Sequence, residues 1–329
     1  MLLLNTGKIF FVVIASPRSG RGNPWIHWKD RLLRRVFDPS RNDEKTWYSL
    51  VYKNPSDGEI LLKKWHLSLY LFLGFLCFST AHAKNTSDLE LLQDLENPLS
   101  NVISLPFQND LNFGYAGKDQ PQYILKIAPQ IPIRVHKNIK VITRTIIPVQ
   151  YQVNNVTKRG HISGIGDLNP QFYLSPVHIG KTAAGFGPVF NLPTAKNSQL
   201  GSGKVSAGPG MVFAATPSRW VLGFYAYNVW SFAGVKNQPR VNSFTLEAFS
   251  YYNLSNGWYL AYLPLITADW TLKHTQKWTV PVGGGGGYIF KVNEQFVSGT
   301  FQFFYNAAVP STVRTKWTAR FTLNFFFPD

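Results

Sequence analysis

The sequence has 329 residues, enough for one large β domain or two ordinary ones. Its 33 Lys and Arg against 17 Asp and Glu carry the sign of a nucleic-acid binder, yet charged residues make up only 15% of the chain and aromatics another 15%. Such a basic, aromatic chain with 26 glycines and few charges excludes nucleic acid as the natural partner and suits a surface that meets lipid on one side and water on the other.

Residues 1–59 show no sustained period and are read as a non-native N-terminal extension from an over-called start, with the true start near Leu61 or Leu62. Residues 60–83 (ILLKKWHLSLYLFLGFLCFSTAHA) have the three parts of a secretory signal peptide. Lys63 and Lys64 form the basic region, Leu67 to Phe78 the apolar one, and Ala81-His82-Ala83 the cleavage site, with cleavage expected after Ala83. The apolar run has 12 residues, where a spanning helix needs about 20. Cleavage removes the only cysteine, Cys77, and leaves 21 basic and 11 acidic residues, a net charge of +10. An exported chain without a thiol has neither disulfides nor thiolate chemistry.

Residues 84–104 are expected to form a periplasmic leader containing a short helix, with Leu89, Leu91, Leu92 and Leu95 at helical spacing and Thr86, Ser87 or Asp88 as cap. From about residue 105 to the end the period becomes 2. In residues 139–153 one face reads Ile139, Val141, Thr143, Thr145, Ile147, Val149, Tyr151, Val153, and the other carries Lys140, Arg144, Gln150 and Gln152. Twelve strands are expected, at about 105–114, 121–134, 139–153, 166–178, 182–194, 204–216, 219–233, 241–253, 257–270, 277–290, 296–308 and 314–327. Their connections alternate between short turns and longer polar loops. Together these features predict an all-β fold, an antiparallel transmembrane β-barrel over residues 105–329 with both termini on the short-turn side.

Trp220 and Trp230, Trp258 and Trp270, and Trp278 and Phe290 sit near opposite ends of their strands, as girdles at two membrane interfaces would. In the last strand Trp317, Ala319, Phe321, Leu323, Phe325 and Phe327 form one apolar face. A C-terminal amphipathic strand of this kind, here offset by Pro328-Asp329, resembles the signal read by outer-membrane assembly machinery, and a soluble edge would not expose that face.

Nucleotide and metal motifs fail on spacing. Gly201-Ser202-Gly203-Lys204 is followed by Val205 where a P-loop needs Ser or Thr, and the row Gly283 to Gly287 offers no third glycine at the right step. The mature histidines, His136, His161, His178 and His274, are scattered over four segments. No catalytic, cofactor or metal site is expected. Alternation instead points Lys140, Arg144, Asp167, Asn169, Gln171, Gln302 and Arg320 inward as pore-lining candidates, joined by Gly283, Gly285 and Gly287, which remove side chains from the luminal face and leave room there.

The segments NPLSNVISLPFQNDLNFG (97–114), ITRTIIPVQYQ (142–152), GIGDLNPQFYLSP (164–176), GFGPVFNLPTA (185–195), LGSGKVSAGPG (200–210), NVWSFAG (228–234), NGWYL (256–260) and WTVPVGGGGGYIF (278–290) together resemble the bacterial outer-membrane transporter family named for the MetA pathway of phenol degradation, whose members are often mislabelled neuromedin U. The resemblance implies an outer-membrane barrel with a transport role, and supplies neither a substrate nor functional residues. The expectation is a passive channel, non-enzymatic, for small solutes, aromatic or otherwise hydrophobic ones among them. The alternatives are a lipid-acting barrel enzyme and a structural barrel without an open pore. Substrate and oligomeric state are not legible.

Overall fold

A computed structural model describes residues 2–5, 8–11, 86–117, 121–154, 160–177, 180–273, 276–293, 295–311 and 313–328. The expected signal peptide, its cleavage site and Cys77 lie outside the described residues, as do His178 and His274. Near the start of the chain, β1 (Leu2–Asn5) and β2 (Lys8–Phe11) pair as a small antiparallel hairpin, which forms part of a unit separate from the one described next.

The second unit opens with helix α1 (Thr86–Glu96), where the leucine spacing places it. Fifteen strand segments follow: β3 (Ile103–Phe113), β4 (Gln122–Ile127), β5 (Gln130–His136), β6 (Ile139–Val153), β7 (His161–Ile165), β8 (Asn169–Pro176), β9 (Thr182–Asn191), β10 (Lys204–Ala215), β11 (Trp220–Gly234), β12 (Asn242–Asn253), β13 (Trp258–Tyr262), β14 (Leu265–Asp269), β15 (Trp278–Val292), β16 (Gln295–Ala308) and β17 (Trp317–Phe327). Three crossings are each made of two segments: β4 with β5 and β13 with β14 share their neighbours on both sides, while β7 and β8 share β6 and β8 alone reaches β9. The wall is therefore twelve antiparallel crossings, each paired with the next in sequence, and β17 closes onto β3 from Trp317↔Phe113 to Phe327↔Ile103. Closure removes the edge that a bilayer would leave unpaired.

The segment breaks have local causes. Between β4 and β5 the chain passes Ala128-Pro129, and between β13 and β14 it passes Leu263-Pro264. A proline has no N–H to give to the ladder, so pairing lapses there. Between β7 and β8, Gly166 donates instead to the Pro148 carbonyl. This interruption explains why the fourth crossing begins at His161, five residues before the expected 166. At the short-turn end Asn256 and Gly257 both take positive φ (58° and 80°), the turn geometry that matches the twist of a tight hairpin.

Side-chain direction follows the period. On β16, Thr300, Gln302, Phe304 and Asn306 are buried while Phe301, Phe303 and Tyr305 are exposed. The exposed residues continue around the outer wall through Leu174, Phe186, Leu260 and Val282. Near the short turns, Trp220 packs on Tyr252 and Trp258 on Tyr288. Near the long loops, Trp270 packs on Trp278 and Trp317 on Tyr305. These are the two rims on which the sequence placed its aromatics.

Inside, α1 and residues 97–102 occupy the short-turn end. Leu92, Leu95 and Val102 pack with Tyr259, Ala261, Ile289 and Phe326. Leu99, fully buried, joins Ile142, Tyr173, Val189, Val212, Val221, Tyr225 and Val229, which fill one side of the barrel.

Candidate functional site

Between the N-terminal segment and the long-loop end lies a cavity of about 380 Å³. Its wall mixes Tyr225, Tyr227, Tyr251, Tyr259 and Phe249 with Lys126, Arg144, Glu247 and Arg320. Two charge clusters cross it, and sheet register builds both.

In the first, Arg320 on β17 stands directly opposite Asp110 on β3, and its Nε donates to Asp110 Oδ1 at 2.7 Å. Lys126 on β4 is paired with Gln108, one diagonal step from Asp110, and its Nζ donates to Asp110 Oδ2 at 3.0 Å. The Arg320 Nη1 also donates to the Leu263 carbonyl at 2.6 Å, an acceptor that the break at Leu263-Pro264 leaves out of the ladder. One carboxylate thus holds two cations, all three largely buried.

In the second, Gln130, Arg144 and Gln171 lie in one cross-strand row, Arg144 being opposite both amides. Arg144 reaches across the lumen to Glu247 on β12 with two bonds, Nη1 to Oε1 at 3.2 Å and Nη2 to Oε2 at 2.6 Å. Its guanidinium lies 4.6 Å from the ring centroid of Tyr225. Tyr225 donates to Gln130 Oε1 at 2.5 Å, and Gln130 Nε2 donates to the Pro98 carbonyl at 2.9 Å, so the row ends on the N-terminal segment. Toward the long loops, Gln171 donates to Asn169, and Asn169 to Asn191. Bidentate, aromatic-stacked arginine is what holds a buried carboxylate in one geometry.

The long-loop end carries a second polar row. Thr318 donates to Asn112, Asn112 to Gln122, Gln122 to Gln152, and Gln152 to the carbonyl of Gln199. Gln150 donates to the Leu200 carbonyl, and Asp167 accepts from the backbone N–H of Ser202 at 2.6 Å and from its hydroxyl at 2.8 Å. The loop after β9 is therefore tied into the barrel mouth, with Leu200 buried.

Of the residues singled out by alternation, Arg144, Asp167, Asn169 and Arg320 line the cavity. Gln171 and Gln302 point inward, fully buried within the wall's own hydrogen bonds. Lys140 serves the N-terminal segment, its Nζ donating to the carbonyls of Leu99 (2.6 Å) and Ser100 (3.3 Å) and to Asn101 Oδ1 (2.7 Å). Gly283, Gly285 and Gly287 stand opposite Phe304, Gln302 and Thr300, on the inward face. The free space expected beside them is taken. A Cβ on Gly287 would meet the Tyr259 ring, and on Gly283 or Gly285 the backbone carbonyl of Phe303 or Phe301. These glycines allow β15 to approach its neighbours rather than widen a passage. Asp110, Lys126, Glu247 and Tyr225 escaped the sequence reading, although each is polar on the inward face of a strand whose other face is apolar. Among the described residues, no group of three His, Cys, Asp or Glu could hold a metal, and no helix is long and apolar enough to cross a membrane.

No protein-family model matches the chain, and no curated protein matches it. Among solved structures, it is similar to the COG4313 outer membrane channel from Pseudomonas putida F1, at 11% identity and a TM-score of 0.53, covering 69% of this chain and 94% of that one. The CymD monoaromatic hydrocarbon channel follows at 8% identity and a TM-score of 0.42 (77% and 95% covered), and outer membrane phospholipase A from Escherichia coli at 11% and 0.38 (72% and 98% covered). At 11% identity the likeness to the Pseudomonas putida channel is one of architecture, and it agrees with the closed twelve-stranded antiparallel barrel that the strand pairing builds.

Proposed function

We propose that the chain is a bacterial outer-membrane channel through which small compounds, aromatic or otherwise hydrophobic, pass without energy input. The observation that carries this reading is the internal cavity. It is large enough for a one-ring solute, and tyrosines and Phe249 line it together with a few fixed charges, the mix that gives apolar contact and orientation at once. Segments that fill its two ends are tied by hydrogen bonds rather than built into the ladder, so they can yield without opening the wall. The family resemblance carried by residues 97–290, the leader-like residues 60–83 and the fold of the Pseudomonas putida outer membrane channel support the same placement. In this reading the export signal is cleaved after Ala83, the C-terminal strand is handed to the assembly machinery, and the exposed outer face meets lipid.

The test is purified protein in planar bilayers and in liposomes loaded for solute uptake. Conductance steps together with faster entry of phenol-sized aromatics than of sugars of equal mass are expected. Silent bilayers with no uptake of any solute would sink the channel reading.

A further inference from the structure

Among the polar contacts that hold the N-terminal segment in the short-turn end, one is chemically incomplete. Asn253, at the end of β12, donates from Nδ2 to Glu96 Oε2 at 2.9 Å. Glu96 Oε1 and Asn253 Oδ1 are both buried and both without a partner. Five buried side-chain atoms lack partners among the described residues, and two of them belong to this one pair. With a carboxylate, the pair has two buried acceptors without a donor, on a cavity wall that Glu96 shares with Leu95, Tyr251, Tyr259 and Phe326, which costs free energy for each. A single proton removes the defect. A carboxylic acid and a primary amide are complementary, each giving one donor and one acceptor.

We propose that Glu96 is held as a neutral acid whose O–H donates to Asn253 Oδ1, and that this acid–amide pair is a proton-operated latch on the N-terminal segment. The inference rests on the channel reading, since the latched segment closes one end of the cavity. On opening, the proton passes to bulk water and the ionised carboxylate leaves with the segment.

The surroundings favour the neutral form. The titratable groups facing Glu96 are the phenols of Tyr251 on β12 and Tyr259 on β13. On α1 itself the other carboxylates are Asp94 and Glu90, which interact with each other. Arg219, in the turn before β11, is occupied with the carbonyls of Asn253 and Leu254, and Lys140 with residues 99–101. No cation pairs with Glu96 among the described residues. Burial pushes its carboxyl from 4.5 up to about 8, against the opposing pull of the Asn253 hydrogen bond. The sign follows from the neutral form being favoured when docked. Docking is strongest below the free carboxyl's 4.5, weakens as pH rises, and has lost the whole contribution above about 8. Between those limits the released fraction rises about tenfold per pH unit.

The experiment uses the full chain, with Cys77 replaced by Ser and Leu99→Cys as a buried reporter, with and without Glu96→Gln. Heat-modifiable gel migration confirms that each variant is folded. Maleimide labelling rates are taken from pH 5 to 9, and their ratio to the E96Q background cancels the thiol's own pH dependence. Glutamine supplies donor and acceptor at every pH, so the ratio should climb about tenfold per unit and level off near pH 8. A flat ratio overturns the latch. Conductance recorded in parallel separates the two ideas: a climbing ratio with silent bilayers keeps the latch and removes the channel, while conductance with a flat ratio does the reverse.

Discussion

Asp110 shows how much one inward carboxylate can decide. It accepts from Arg320 and Lys126, and all three come from neighbouring crossings near β3, where the barrel closes. Removing it by Asp110→Ala leaves two cations in low dielectric with no counter-charge, and we expect a loss of about 3–5 kcal/mol in denaturant unfolding. Asp110→Asn, which keeps the shape and an acceptor, should cost less. A second residue-scale expectation concerns the glycine row. An added methyl at Gly285 meets the Phe301 carbonyl, whereas one at Gly180 meets nothing within 4 Å. Gly285→Ala should therefore destabilise by about 1–3 kcal/mol, and Gly180→Ala should leave the midpoint nearly unchanged. Equal midpoints for the two would show that the close approach at β15 is readily relaxed.

At the scale of elements, period-2 alternation was enough to find all twelve crossings, because the strands set an exposed, largely apolar outer face against a polar or packed interior. It was also enough to place Lys140, Arg144, Gln302 and Arg320 on the inward face. It could not show what those side chains touch, since partners such as Arg144 and Glu247 are 103 residues apart and meet only across the lumen. Glu247 still left a trace. It is the only charged residue of β12, flanked by Leu246 and Ala248, and a lone charge in such a strand has to turn inward. The breaks at Pro129 and Pro264 were likewise visible as prolines, but an alternating pattern continues through them and hides the lapse in pairing. The leader was legible as a helix and illegible as an interior piece, because its leucines suit any apolar surface. Its interior position yields a prediction. Deleting residues 86–101 removes Leu99 from the packed side and the carbonyls that Lys140 holds. Conductance should rise several-fold while the thermal midpoint falls, and unchanged conductance would mean that the segment does not limit flow.

For the molecule as a whole, the balance of charge inside matters more than the +16 written across the full sequence. Lys126, Arg144 and Arg320 face Asp110 and Glu247, so the two clusters that cross the cavity carry one cation more than they have carboxylates, while Asp167 lies toward the mouth, held by Ser202. Enclosed by a low-dielectric wall, a single excess charge is felt strongly by an ion that must shed water to pass. Lys126 is the exchangeable member: its side chain is the most accessible of the three cations, and Asp110 would keep Arg320 without it. Reversal potentials measured across a salt gradient should show anion preference in the native protein. Lys126→Gln should bring it close to zero, and Lys126→Glu should invert it. An unchanged reversal potential in both variants would place the selective step elsewhere, in the loop tied down by Asp167 or in the segment beneath Lys140. The effect should also shrink as ionic strength rises from 0.1 M toward 1 M, where the screening length falls from about 10 Å to about 3 Å. That salt dependence distinguishes a fixed interior charge from a steric filter, which would discriminate equally at every concentration.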